Sequence, residues 1–285
     1  DTIIQELRSK YPDHAFLAEE SGARGRSDFE WVIDPLDGTT NYLHGFPQFS
    51  ISIALRHRGR LECGLVYDPL REEMFTAERG GGALLNDRRI RVANQTGLDG
   101  ALIGTGFPFR DQRFLDSYLA MFRTILENTA GIRRPGSAAL DLAYVACGRT
   151  DGFWELGLSE WDMAAGALLV SEAGGRVSDL RGGDRFFETG NIIGGRPKGY
   201  RAPWRALPPH PNEAPSGRTS PAWFPGPLPR PPHPATAINH PSGMISTSPM
   251  RSLLASTVLA LRRALRLMAY CWAIRSRVSP LLTTC

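Results

Sequence analysis

Through the first hundred residues, apolar and polar positions alternate in short runs, the period of strands with one face on a core. A helical segment at about Thr2 to Lys10 leads to strand patterns at Ala15 to Ala18 and Trp31 to Ile33. Four more follow at Ser50 to Leu55, Leu61 to Val66, Glu73 to Ala77 and Arg89 to Val92. Asp68-Pro69, Gly80-Gly81-Gly82 and Asn86-Asp87 separate them. Such residues favour turns, so the segment predicts an antiparallel meander. Beyond Gly100 the period changes. Short apolar runs at Ala101 to Thr105, Gly152 to Glu155, Arg176 to Ser178 and Asn191 to Ile193 alternate with helical patterns at about Arg113 to Asn128, Ser137 to Cys147 and Asp162 to Ala173. The chain thus reads as a body over residues 1–198, with an antiparallel β-rich half (about 1–100) and an α/β half (about 101–198), an α+β and α/β mixture.

The strand at Trp31 to Ile33 runs into Asp34-Pro35-Leu36-Asp37-Gly38-Thr39-Thr40-Asn41. Pro35 fixes its own φ and pushes Asp34 towards extended backbone, so both carboxylates can face one place. A hard divalent cation such as Mg2+ takes several oxygen ligands, and the Leu36 carbonyl between the two aspartates can supply one. Gly38 permits close approach to a ligand, and the Gly38 and Thr39 N–H groups can donate to phosphate oxygens where a helix begins. The plain alternative is an ordinary Asp-Pro/Asp-Gly turn. Two further acidic segments favour a site. Phe16-Leu17-Ala18-Glu19-Glu20-Ser21-Gly22 ends an apolar run with two glutamates, and strand geometry sends one to the edge and its neighbour away. Trp161-Asp162-Met163-Ala164-Ala165-Gly166 opens a helix that stops at Glu172-Ala173-Gly174-Gly175. Standing alone, Asp162 would read as a helix N-cap.

Taken together, these segments resemble the signatures of the inositol monophosphatase family, in particular bacterial inositol-1-monophosphatases. Gly136-Ser137-Ala138-Ala139 and Asp151-Gly152-Phe153-Trp154-Glu155 agree in order and spacing, and the match runs from residue 1 to about Lys198. The resemblance implies a layered α-β-α-β-α sandwich with the site between two sheets. It implies two or three Mg2+ ions held by Glu19, Asp34, the Leu36 carbonyl, Asp37 and Asp162. Thr39, Asp37 and Glu19 would form the catalytic set, and Gly38 and Thr39 would hold the phosphate. Ser137, Ala138, Glu155 and Asp162 would meet the substrate. The implied reaction is hydrolysis of inositol monophosphate by metal-activated water, with lithium sensitivity, a cytoplasmic homodimer and a small phosphate monoester as substrate. Hydrolysis of this kind needs charge neutralisation and an activated water, and no covalent nucleophile. Sister phosphatases for sugar phosphates, histidinol phosphate or nucleotide 3′-phosphates share the metal motifs. A third reading is a non-enzymatic binding or regulatory protein, in contact with transcription machinery.

Two departures qualify the resemblance. The chain starts at Asp1 within a helical pattern, whereas family members have earlier helices and a hairpin that supply a lysine, a threonine and an aspartate pairing with the threonine at position 39; their absence makes a truncated member an expectation. At the other end, residues 201–285 hold 10 basic residues and only Glu213 as an acid, against 23 basic and 28 acidic residues before them. The net charge of +4 is therefore a property of the tail, and the body gives no case for nucleic-acid binding. Residues 199–250 are Pro-rich and predict a disordered linker or tail. The basic apolar segment at 251–285 predicts an amphipathic helix or an out-of-frame product; Arg262, Arg263 and Arg266 argue against a membrane-spanning helix. Cys63, Cys147, Cys271 and Cys285 are dispersed without CxxC spacing, which predicts neither zinc nor a disulfide framework. Cys147 reads as a small buried apolar residue. No signal-peptide pattern opens the sequence. The histidines form no metal-ligand pair, and His44 reads as a surface loop residue.

Overall fold

The computed structural model describes residues 2–108 and 112–196. The expectations for residues 199–250 and 251–285 lie outside the described residues. Two sheets carry the architecture. The first has eight strands in the order β2-β1-β3-β4-β5-β6-β7-β8, and the second has five, in the order β10-β9-β11-β13-β12. In the first sheet, β1 (Ala15–Ala18) lies parallel to β3 (Phe29–Asp37), and the remaining pairings are antiparallel. The meander predicted from the alternation is there, as β4 (Ser50–His57), β5 (Arg60–Asp68), β6 (Glu73–Glu78) and β7 (Gly82–Leu85).

Strand alternation sorts the first sheet's side chains onto two buried faces. Trp31, Ile33, Ile51, Ile53, Leu55, Leu65 and Tyr67 pack with Ile4 and Leu7 of α1 (Thr2–Lys10). The intervening positions, among them Val32, Ala54 and Val66, meet α4 (Ala138–Ala146) and α5 (Glu160–Glu172). Small residues let these helices come close: a Cβ on Gly64 would lie 3.1 Å from the Ala165 carbonyl oxygen, and one on Gly166 would lie 2.5 Å from Leu142 Cβ. The same two helices pack on β9 (Leu102–Thr105), β11 (Gly152–Glu155), β12 (Arg176–Ser178) and β13 (Ile192–Gly195) of the second sheet. On its far side, Tyr118, Met121 and Ile125 of α3 (Leu115–Asn128) pack with Ile103, Trp154 and Ile193. The layers thus run α-β-α-β-α, as the resemblance implies.

Several local expectations are corrected. The strand predicted at Arg89 to Val92 is only Arg88–Arg89 (β8), and an unpredicted strand, β7, precedes it. Asn86 and Asp87 both have positive φ, of 46° and 64°, the requirement of a tight two-residue hairpin. The turn therefore sits where the sequence put it, but Gly82 already belongs to a strand. Past the hairpin, Val92 N–H donates to the Ala173 carbonyl and leaves the sheet for the end of α5. Short pieces without a periodic signature were also missed: β2 (Gly22–Arg24), β10 (Gly131–Arg133) and α6 (Phe186–Thr189). Cys147 is half-buried at the end of α4, not fully buried. Among the described residues, no helix is long and apolar enough to cross a membrane.

Candidate metal and phosphate site

The acidic motif is built on a bulge. Asp34 pairs with Ser52 and Asp37 with Ser50, so three steps along β3 match two along β4. Residues three apart in a regular strand face opposite sides; one extra residue at Pro35-Leu36 restores both aspartates to the face that meets α4 and α5. Asp34 turns back locally and accepts the Leu36 N–H at 2.8 Å. Asp37 is fixed from α4: its Oδ2 accepts the Ala139 N–H at 2.9 Å and the Ser137 hydroxyl, with Ser50 Oγ at 3.4 Å. Asp162, at the third position of α5, accepts the Ser159 N–H at 2.8 Å. It closes a capping box and does not act as the N-cap, a place held by Ser159.

Asp34, Asp37 and Asp162 are all buried and each brings a carboxylate oxygen within 4.8 Å of the other two. Such crowding raises proton affinity. Burial first, then the charges of Asp37, Glu19 and Asp162, push the Asp34 carboxyl above its ordinary range, against the Leu36 N–H. Burial and Asp162 push Asp37 up, opposed by its hydrogen bonds from Ser137, Ala139 and Ala138. Acids held so close, in a wall of oxygen donors, suit a hard cation that would discharge the repulsion. The sequence's bet on the two glutamates also resolves: Glu19 is half-buried and lines the cavity, while Glu20 is exposed.

These groups line a cavity of about 480 Å³. Gly38, Thr39, Thr40 and Asn41 line it too, as do Ala138, Glu155, Leu158, Arg134, Phe107 and Phe114. Gly38 has φ 91°, and a Cβ there would lie 2.9 Å from the Gln48 carbonyl and 3.2 Å from the Gly136 carbonyl. Thr39 opens the short helix α2 (Thr39–Leu43), and its hydroxyl donates to the Leu36 carbonyl at 2.9 Å. Of the residues expected to meet substrate, Ala138 and Glu155 line the cavity. Ser137 is fully buried with its hydroxyl on Asp37, so it orients a carboxylate and does not face the cavity. His44 is exposed, as expected of a loop residue.

The sequence assigns Asn41 no role, yet its amide donates to Gln48, Pro135 and Gly136 carbonyls and ties the Gly38-Thr39-Thr40 turn to the start of α4. Its place directly after Gly38-Thr39-Thr40 was the only signal. Arg134 and Phe107, which stack with the guanidinium 5.0 Å from the ring centroid, carried none.

A five-layer α/β body with a cluster of three buried acids and a glycine-led turn lining a cavity between its sheets defines a metal-binding phosphatase class. The chain belongs to the inositol monophosphatase family, whose sequence profile matches residues 1–207. It is 57% identical over 215 residues to the Nus factor SuhB of Pseudomonas aeruginosa, covering 73% of this chain and 79% of that protein. Identity to the Nus factor SuhB of Escherichia coli K12 is 51% over 202 residues, covering 70% and 76%. Among solved structures, the extragenic suppressor protein suhB of Bartonella henselae superposes with TM-score 0.69 at 49% identity, covering 72% of this chain and 79% of that one. The inositol monophosphatase of Anabaena superposes with TM-score 0.68 at 42% identity, covering 72% and 82%.

Proposed function

We propose that this chain hydrolyses inositol monophosphate to inositol and phosphate in a Mg2+-dependent reaction. The observation that carries the reading is the buried trio Asp34, Asp37 and Asp162 on the wall of the cavity. With Glu19 and the Leu36 carbonyl they would hold two or three Mg2+ ions, which supply charge neutralisation and a nucleophilic water. The protein's own groups do the rest. The Gly38 and Thr39 N–H groups face the phosphate position, where no Cβ obstructs the turn. Thr39, placed by its hydrogen bond to the Leu36 carbonyl, sits beside the ligand set and with Asp37 and Glu19 takes part in proton handling. Across the cavity, Glu155 accepts hydrogen bonds from the leaving polyol's hydroxyls, and the Ala138 backbone borders the same ring. Ser137 serves by orienting Asp37.

Hydrolysis of inositol 1-phosphate, followed against Mg2+ concentration, tests the reading. Asp34→Asn and Asp162→Asn should each lower turnover more than about a hundredfold. Near wild-type turnover in either variant at saturating Mg2+ overturns it. The names of the relatives favour a second reading, in which the body acts as a binding protein in transcription. In that case the acid-to-amide variants would retain the protein's cellular role, and a complementation assay in a strain lacking its own relative separates the two.

A further inference from the structure

Among the described residues Asp68, Asp141 and Asp179 are also buried, outside the trio. Asp141, on α4, is 3% exposed, and its Oδ2 has no hydrogen-bond partner among the described residues. The charged groups facing it are Glu155 at the end of β11, Asp37 at the end of β3 and Arg134 in the turn before α4. Glu155 in turn lies near Tyr118 of α3.

Two glycines, in and just past the end of β9, border these acids. A Cβ on Gly104 would meet the Phe153 ring at 3.2 Å and Asp141 Cβ at 3.9 Å, and one on Gly106 would lie 2.0 to 2.2 Å from the carboxylate atoms of Glu155. Alternate residues of an extended strand face the same side about 7 Å apart. Asp141 and Glu155 therefore lie along the same side of that strand, Asp141 by Gly104 next to the Phe153 ring and Glu155 over Gly106. An ionised Asp141 would be desolvated and would face two acids, against Arg134 as the cation beside it among the described residues. Burial, then Glu155 and Asp37, accordingly push its carboxyl well above the usual range.

We propose that Asp141 is a positioning residue for Glu155: a neutral carboxyl that donates its O–H through one ordered water to the Glu155 carboxylate and keeps it turned into the cavity. The water finds polar partners on both sides, as buried waters require. The inference rests on the reading of Glu155 as the acceptor of substrate hydroxyls.

Two variants test it. Asp141→Asn keeps a donor in place, and Asp141→Leu removes it at similar volume. Calorimetric binding of inositol 1-phosphate, with Ca2+ replacing Mg2+ to prevent turnover, should weaken about 5- to 10-fold in Asp141→Leu, the worth of one hydrogen bond. Asp141→Asn should stay within about twofold. Infrared spectra of the Ca2+-loaded wild type at pH 8 should show a protonated-carboxyl band that Asp141→Asn removes. If that band is missing from the wild type or survives in Asp141→Asn, the inference fails, and this comparison needs no Leu variant to fold. If Glu155→Gln leaves binding unchanged, the reading of Glu155 itself fails. If Glu155→Gln weakens binding while Asp141→Leu does not, only the role of Asp141 is lost.

Discussion

Asp34→Asn should stabilise the metal-free fold while removing its response to metal. The three carboxylates offer oxygens within 4.8 Å of one another. Two like charges at that spacing repel by about 3.5 kcal/mol at an effective dielectric near 20. The folded protein relieves this by keeping protons: burial and the neighbouring acids raise Asp34, and burial with Asp162 raises Asp37. A carboxyl raised on folding binds protons that the unfolded chain gives up. The metal-free fold is therefore most stable below the ordinary carboxylate range and weakens as pH climbs towards the raised folded values. An asparagine at position 34 removes that loss. At pH 8 without metal the variant should gain about 3 kcal/mol, or roughly 6–12 °C in Tm for a body of this size, and much less at pH 5. Saturating Mg2+ should raise the wild-type Tm by mass action and leave the variant's nearly still. Thermal and urea unfolding in EDTA and in Mg2+, at both pH values, reads all four cases. A metal-free variant no more stable than wild type at pH 8, or one that responds equally to Mg2+, refutes the reasoning.

Other consequences are simpler to read. Glu155→Gln should raise KM for inositol monophosphate and spare a plain aryl phosphate, because contacts made equally in ground and transition states appear in KM; an equal loss of kcat on both substrates would place Glu155 among the catalytic groups. Gly106→Ala should mimic it with little change in Tm, since the nearest atoms the new Cβ meets belong to the movable end of Glu155; unchanged KM would show that Glu155 does not read the substrate. Gly38→Ala should cost about 2–4 kcal/mol in urea unfolding, combining left-handed strain with a clash on fixed carbonyls. Gly45→Ala, at φ 67° with nothing within 4 Å, should cost only about 1–2 kcal/mol, and equal costs would show that the close approach at Gly38 is not what matters.

What the sequence disclosed follows from the range of the interactions involved. Strand alternation in Ser50 to Leu55 and the turn at Asn86-Asp87 are local, and both are found where the pattern puts them. The carboxylates of Asp34 and Asp37 could be grouped because only Pro35 and Leu36 separate them, although the bulge that brings them to one face needs Ser50 and Ser52 as partners. β7 and β10 left no mark because Gly82-Ala83-Leu84-Leu85 and Gly131-Ile132-Arg133 each begin on a glycine that reads as a turn and show no apolar–polar alternation.

The part of the cavity around Glu155 was the least legible, and the reason is chemical as well as topological. Glu155 is a lone acid at a strand end, and only a family resemblance pointed to it. What gives it a place is absence: Gly106 offers no Cβ where the carboxylate lies. A glycine in a short strand can equally mean a bulge or weak packing. Asp141 is harder still, because its spacing within Leu140-Asp141-Leu142-Ala143 would suit a solvent-facing acid on a helix. Only the placement of α4 between two sheets turns that position inward, so the one acid in an apolar helix becomes a buried carboxyl near Glu155. Clustered acids can be recognised by their own chemistry, whereas a lone acid is defined by what the fold sets next to it.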